Sequence, residues 1–355
     1  MNNYIINLDC LKITNNVNLD KFKNKSVLVL GANGLLGSYL IAVLNFANKY
    51  YQLNCKIICC SKNKPKGILK NIIGNNKEIL FLKRDLTIKK NLNIFKNYKF
   101  DFIFHCATYA QPSVWMKNIQ STIILNTDVL KYFLTKAKQD KSSLMFFSSV
   151  DVYGRTEHIN NSIDENFNYN DTSYKMRSAY GVSKRIGETL CKIFREKYNL
   201  SIYVVRPAHT YGPGISYLDK RAIAEFIYKA IYKKKINLLD QGKSIKTQGY
   251  ISDVTEMFLN IIQYGKHMIY NTTGNDYVSI SQIAKEISKN FNNVPVVYPK
   301  IKNKQKHISS DNAKVIISSE RYRNEFNTKK KTNISDGIRK FVHWNLDLYK
   351  LSKRK

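Results

Sequence analysis

The sequence predicts an α/β fold: a doubly wound parallel sheet with a smaller C-terminal α/β lobe. Three observations predict it. Short continuous apolar runs recur up to Arg206, the pattern of strands buried on both faces. Helical stretches separate them, as crossover connections of a parallel sheet require. The first run ends in a glycine-spaced turn, Gly31-Ala-Asn33-Gly34-Leu35-Leu36-Gly37, that leads into a helical stretch.

In order, residues 1–24 read as a polar lead-in with one apolar cluster, Tyr4-Ile5-Ile6. Strands are expected at 26–30, 56–60, 79–82, 102–106, 144–147 and 201–205, with helices at 38–51 and 126–138. Beyond Arg206 the segment Gly212-Pro213-Gly214 marks a loop. Helical stretches then dominate, at 221–234, 253–265 and 278–291, with an extended piece at 294–298. The expected organisation is a lead-in (1–24), a Rossmann-type dinucleotide-binding domain (25–206), a second lobe interleaved with it (207–345) and a basic tail (346–355).

Composition narrows the function classes. Hydrophobic residues make up 43% of the chain, enough for a sizeable core, which excludes a disordered or fibrous protein. No apolar run approaches the roughly 20 residues of a membrane span. The opening residues carry no basic stretch before an apolar run, so a cytoplasmic chain without a secretory signal is expected. Six cysteines without a C-x-x-C pair suit neither a disulfide scaffold nor a zinc site, and no metal is expected. The net charge of +32 raises the question of a polyanion partner. The lysines are scattered, however, and no zinc finger, aromatic RNA-binding motif or basic zipper appears. A solvated basic surface with no specific nucleic-acid partner is the expectation.

The glycine turn carries the first chemistry. Glycines there allow a tight turn, close approach to a pyrophosphate and close helix–strand packing, while the helix N-terminus favours phosphate charge. The second motif is Tyr180-Gly-Val-Ser-Lys184, which puts a phenol and an ammonium on one helix face. A nearby ammonium stabilises a phenolate, so Tyr180 can move a proton near neutral pH. Ser149 precedes it, at the end of the fifth expected strand, in Phe147-Ser-Ser-Val-Asp151-Val-Tyr-Gly154.

Together these motifs resemble the extended branch of the short-chain dehydrogenase/reductase superfamily, specifically the NAD-dependent epimerase/dehydratase family of nucleotide-sugar enzymes. Further segments carry the resemblance: Asp85-Leu86, His105-Cys106-Ala107-Thr108, Arg206-Pro207-Ala-His209-Thr-Tyr-Gly-Pro-Gly214, Gly249-Tyr-Ile-Ser-Asp253, Ser310-Asp311-Asn-Ala-Lys314 and the run from Ile334 to Trp344. The resemblance spans about Lys25 to Trp344. Its nearest flavour is UDP-glucuronate decarboxylase, through Met176-Arg177-Ser-Ala-Tyr180 and Arg185-Ile-Gly-Glu-Thr-Leu-Cys191.

The resemblance implies a homodimer, a nucleotide-diphosphate-sugar substrate and a set of site residues. Ser149, Tyr180, Lys184 and Asp151 are the implied catalytic residues. Gly31, Asn33, Gly34, Leu35, Leu36, Gly37, Ser61, Lys62, Asp85, Leu86, Cys106, Ala107, Thr108, Asn126, Tyr180, Lys184 and Pro207 would hold the cofactor. Ser113, Arg177, His209, Arg221 and Lys246 would hold the substrate. The cofactor is read as NAD or NADP, with NAD slightly favoured. The second strand ends in Cys59-Cys60-Ser61-Lys62, without the acid that usually holds a ribose 2′-hydroxyl, and Ser61 and Lys62 would suit a 2′-phosphate.

Departures from the family pattern shape the expected reaction. Dehydratases of the family place Asp and Glu after the strand-end Thr, where this chain has Val150 and Asp151. Val150 cannot donate a proton. Lys246 stands where the family has an Arg and cannot reproduce a bidentate contact. His209 stands where the family has an Asn. The expectation is oxidation of the sugar at C4, then epimerisation or decarboxylation. A 4-keto-sugar reductase using NADPH ranks next and a 4,6-dehydratase last. A non-catalytic dinucleotide binder is disfavoured by the presence of Ser149, Tyr180 and Lys184.

Overall fold

Strand β1, Ser26–Leu30, is buried along almost its whole length, and its alternation feeds two cores. Val27 and Val29 point to one side, Leu28 and Leu30 to the other. A strand with helices on both faces needs apolar residues at every position, which is why the run SVLVL reads as continuous. The computed structural model describes residues 4–74, 76, 78–154, 162–167, 176–300, 314–328 and 331–353.

The chain opens with α1, Tyr4–Asn16, and after β1 continues through α2, Leu35–Tyr51, and β2, Lys56–Ser61. Next come α3, Gly67–Ile73, β3, Ile79–Lys83, β4, Phe102–His105, and three helices: α4, Pro112–Trp115, α5, Ile119–Asn126, and α6, Asp128–Asp140. Strand β5, Ser143–Phe147, precedes a 3₁₀ turn, Val150–Tyr153. Helix α7, Ala179–Tyr198, leads to β6, Ile202–Pro207, and β7, His209–Tyr211. The remainder holds α8, Ala222–Lys233, β8, Ile236–Asn237, β9, Ile245–Tyr250, α9, Ile251–Tyr264, β10, Ile269–Thr272, and β11, Asp276–Ser279. It closes with α10, Ile280–Lys289, β12, Val296–Val297, β13, Lys314–Val315, α11, Glu320–Phe326, and α12, Ile334–Lys353.

Seven strands form one parallel sheet in the order β10-β6-β5-β4-β1-β2-β3. The order reverses between β1 and β4, and ligands of such sheets bind in the crevice beyond the strand ends at that switch. A second, smaller sheet is built on β9, which pairs antiparallel with β11 and parallel with β7 and β13. The six expected strands are all present. The seventh, β10, follows β9 and α9 in the chain and pairs with β6 at the edge of the main sheet.

One expectation is corrected. The lead-in is largely a helix: Ile6, Cys10 and Ile13 recur at helical spacing and are buried. Its Asp9 is fully buried, accepting from the phenols of Tyr39 and Tyr250 at 2.6 and 2.7 Å and from the Lys340 ammonium at 2.9 Å. A buried carboxylate needs such partners, so α1 is bonded to α2, the end of β9 and α12. The helix expected at 126–138 is present as α6, with Asn126 ending the preceding α5. Cys59 and Cys60 lie in β2, one on each face of the sheet, both buried as expected.

Candidate active site

The glycine turn joins β1 to α2 beside the end of β4. Gly31 has φ +77°, and a Cβ there would sit 2.7 Å from the Cys106 carbonyl carbon. Gly34 caps α2 and its amide donates to the Gly31 carbonyl at 2.9 Å. A Cβ on Gly37 would meet the Gly31 carbonyl oxygen at 2.8 Å. Leu35 and Leu36 begin α2 half-buried. The turn therefore presents backbone at a helix N-terminus, a ready anion site.

Asn33 turns toward β2. Its amide donates to the Ser61 hydroxyl at 3.1 Å and to the Asn63 and Lys64 carbonyls at 3.0 Å, and its oxygen accepts from the Lys66 amide at 3.1 Å. One side chain thus shapes the rim after β2. Lys62 ion-pairs with Asp85 at 2.9 Å. Burial opposes ionisation of Asp85, yet Lys62 and Thr87 hold its carboxyl below the usual range. Leu86 beside it is buried. A cation already matched by a carboxylate is a weaker lure for a 2′-phosphate than the bare sequence suggested.

On the other side of the turn, the Cys106 amide donates to the Leu30 carbonyl at 3.0 Å, holding the end of β4 against β1. Ala107 is buried, and the Thr108 hydroxyl is buried without a protein partner among the described residues. So is the amide oxygen of Asn126, whose nitrogen donates to Ser183 at 3.0 Å. Pro207 ends β6, paired with Thr272 of β10.

Helix α7 brings the catalytic candidates together. Its first turn packs so closely on the 3₁₀ turn that a Cβ on Gly181 would lie 2.5 Å from the Asp151 carbonyl oxygen. That approach sets the Tyr180 phenol beside the Ser149 side chain. The Ser149 hydroxyl donates to the Asp151 carboxylate at 3.1 Å and accepts from the Asp151 amide at 3.2 Å. The Lys184 ammonium is fully buried, donates to the Phe147 carbonyl and lies 5.8 Å from the Tyr180 ring centre. Burial pushes Lys184 down to about 7, while neighbouring thiols and carboxyls oppose that shift. Burial raises the Tyr180 phenol, Asp151 adds to the rise, and the Ser149 hydrogen bond opposes it.

Beneath them lies a buried network that the residue pattern did not reveal. Glu188 accepts from the Ser148 hydroxyl at 2.6 Å and from two nitrogens of Arg206 at 2.9 and 2.6 Å. Arg206 also donates to the Tyr153 phenol at 2.9 Å, which donates to Asn271 at 2.7 Å. Helix α7, β5, β6 and β10 are thereby locked in one register.

The proposed substrate residues are more dispersed. Ser113 is exposed on α4, and His209 is exposed on β7. Lys246 on β9 is half-buried, two residues before Gln248, the β9 partner of His209. Arg221 forms a two-pronged pair with Asp219 at 3.0 and 2.9 Å. The side chain of Arg177, and the residues Ser310 and Asp311, lie outside the described residues.

The sequence profile described as the NAD dependent epimerase/dehydratase family matches residues 27–272. The chain belongs to this family. UDP-glucuronic acid decarboxylase 6 of Arabidopsis thaliana is 26% identical over 272 residues, 75% of each chain. The dTDP-D-glucose 4,6-dehydratase of Homo sapiens is 27% identical over 271 residues, 74% of this chain and 73% of that one. The Bacillus cereus UDP-glucuronic acid 4-epimerase, solved with UDP-glucuronic acid and NAD, superposes with a TM-score of 0.74 at 19% identity, covering 91% of this chain and 100% of that one. Members of the family are NAD-dependent enzymes, and NAD fits the residues here: the glycine cradle admits backbone only, and the orphaned Thr108 hydroxyl waits beside it. Among the described residues no helix is long and apolar enough to cross a membrane.

Proposed function

We propose that the protein oxidises a nucleotide-diphosphate sugar at C4 with bound NAD and then epimerises or decarboxylates it. The observation that carries this reading is Tyr180 set beside the hydrogen-bonded Ser149–Asp151 pair, with Val150 between those two residues: a set for moving the C4 hydroxyl proton and only one carboxylate next to it. Gly31, Gly34, Gly37 and Thr108 would line the cofactor, Lys184 its ribose, and Asp85 and Leu86 its adenine end. The bound nicotinamide supplies a reversible hydride acceptor.

Tyr180 takes the C4 hydroxyl proton, with Ser149 fixing the oxygen. Ser149 is itself fixed by Asp151, so the carboxylate orients the pair and opposes charge on the phenol. Lys184, one helical turn on, offsets that opposition when protonated. Elimination of a 6-hydroxyl would need a proton donor at the leaving oxygen and a base at C5. Val150 supplies neither. Epimerisation needs only a turn of the keto intermediate, and a 4-keto-uronate loses carbon dioxide with the ketone as electron sink.

Incubation with UDP-glucuronate, UDP-glucose and UDP-N-acetylglucosamine, followed by mass spectrometry and NMR, should yield a C4 epimer or a pentose product. Under the same conditions dTDP-glucose and GDP-mannose should give no 4-keto-6-deoxy sugar. Robust formation of that product would overturn the reading.

The same reading includes a homodimer formed through α5 and α7. Ile123 on α5 and Val182, Ile186 and Ile193 on α7 are exposed apolar residues on neighbouring helices. Ile186→Glu should halve the mass seen by light scattering, whereas a wild-type monomer would remove this part of the proposal.

A further inference from the structure

The indole of Trp115 stacks on the ring of Tyr180, with centroids 5.7 Å apart and planes 18° from parallel. Neither the Y-x-x-x-K spacing nor the strand-end serine calls for such a neighbour. The indole comes from α4, a four-residue helix begun by Pro112. Flanking Val114 and Met116 are exposed, while Trp115 is 4% exposed. The helix therefore turns one large ring inward, onto the phenol.

The helix is also tied down. Gln111 at its start donates to the Asp219 carboxylate at 2.6 Å, the same carboxylate that grips Arg221. A segment of the second lobe thus holds the element that carries the indole. With the ring buried and stacked against Trp115, the phenol has little freedom to swing. Near-parallel aromatic pairs prefer a defined offset, and small misplacements of reacting groups cost large factors in rate.

We propose that Trp115 is a positioning residue for proton transfer: its indole clamps one face of Tyr180 and keeps water from it, so the phenol meets the sugar hydroxyl in a single orientation. This rests on the C4-oxidation reading above. A consequence for pH follows. The phenol must be ionised to take a proton, so turnover rises with pH through its pKa. Water admitted to the ring stabilises the phenolate, so truncating Trp115 moves that rise to lower pH. Asp151 from the 3₁₀ turn and Lys184 from the same helix also face the phenol. His105, Cys106, Glu188 and Cys191 act on Lys184. All of these are unchanged in the variants.

The test has two arms. Without substrate, the tryptophan emission that Trp115→Phe removes should be shielded from acrylamide in the wild type and become accessible in Tyr180→Ala. With a verified substrate and NAD, Trp115→Ala should lose about 10-fold or more in kcat. Its KM should stay within about threefold, and its pH profile should shift to lower pH. Trp115→Phe should restore kcat to within about threefold of wild type. A Trp115 emission already open to acrylamide, or wild-type kcat and pH profile in Trp115→Ala, would overturn the proposal. Absence of turnover on every nucleotide sugar would instead fail the functional reading, while the quenching arm still reports the stack.

Discussion

Tyr180→Phe should lower kcat by about 10²–10⁴-fold, the range for loss of a positioned acid–base group. The substrate KM and NAD affinity should barely change, because the phenyl ring keeps its stack on Trp115 and its place at the start of α7. Only the phenol hydroxyl, which lies beside Ser149, is removed. Residual activity near the wild-type rate, with the substrate verified, would move the proton transfer to another group. Steady-state kinetics with a parallel NAD titration make the measurement.

Glu188→Ala should destabilise the protein by about 3–5 kcal/mol, the cost of leaving a buried charge unpaired. Arg206 would then face an empty space where two charge-assisted hydrogen bonds and the Ser148 hydroxyl now converge. Both side chains are about 10% exposed, so solvent cannot take over. Replacing both partners, as Glu188→Leu with Arg206→Met, should recover much of the loss, since apolar residues can substitute for a buried pair. Urea denaturation followed by circular dichroism reads this out. A single variant within about 1 kcal/mol of wild type would show that the network is worth no more than an exposed pair.

Residues near one another in sequence were legible; those joined across the fold were not. The run SVLVL, the glycine turn and the i, i+4 pair of Tyr180 and Lys184 are local patterns, each fixed by one strand, one turn or one helix. Helix α1 escaped because its apolar stripe is thin and its buried polar residue, Asp9, is matched only by Tyr39, Tyr250 and Lys340, brought in from three other elements. Strand β10, Ile-Tyr-Asn-Thr, looks unremarkable until β6 lies beside it. Nothing in the order of residues pairs Glu188 with Arg206, and only the packing of α7 on β6 does. Lys62 left a 2′-phosphate open because the sequence does not reveal that Asp85 lies opposite. Trp115 sits on a helix too short to show any period, so nothing but the fold could place it on Tyr180.

The location of a label most directly tests the central claim, transient oxidation at C4. Once a substrate is identified, it should be prepared with deuterium at C4 and the product examined by NMR. Epimerisation and decarboxylation both return the hydride to the carbon it left, so the deuterium should remain on C4 of the product. Deuterium at C6, in solvent or in released NADH would contradict the account.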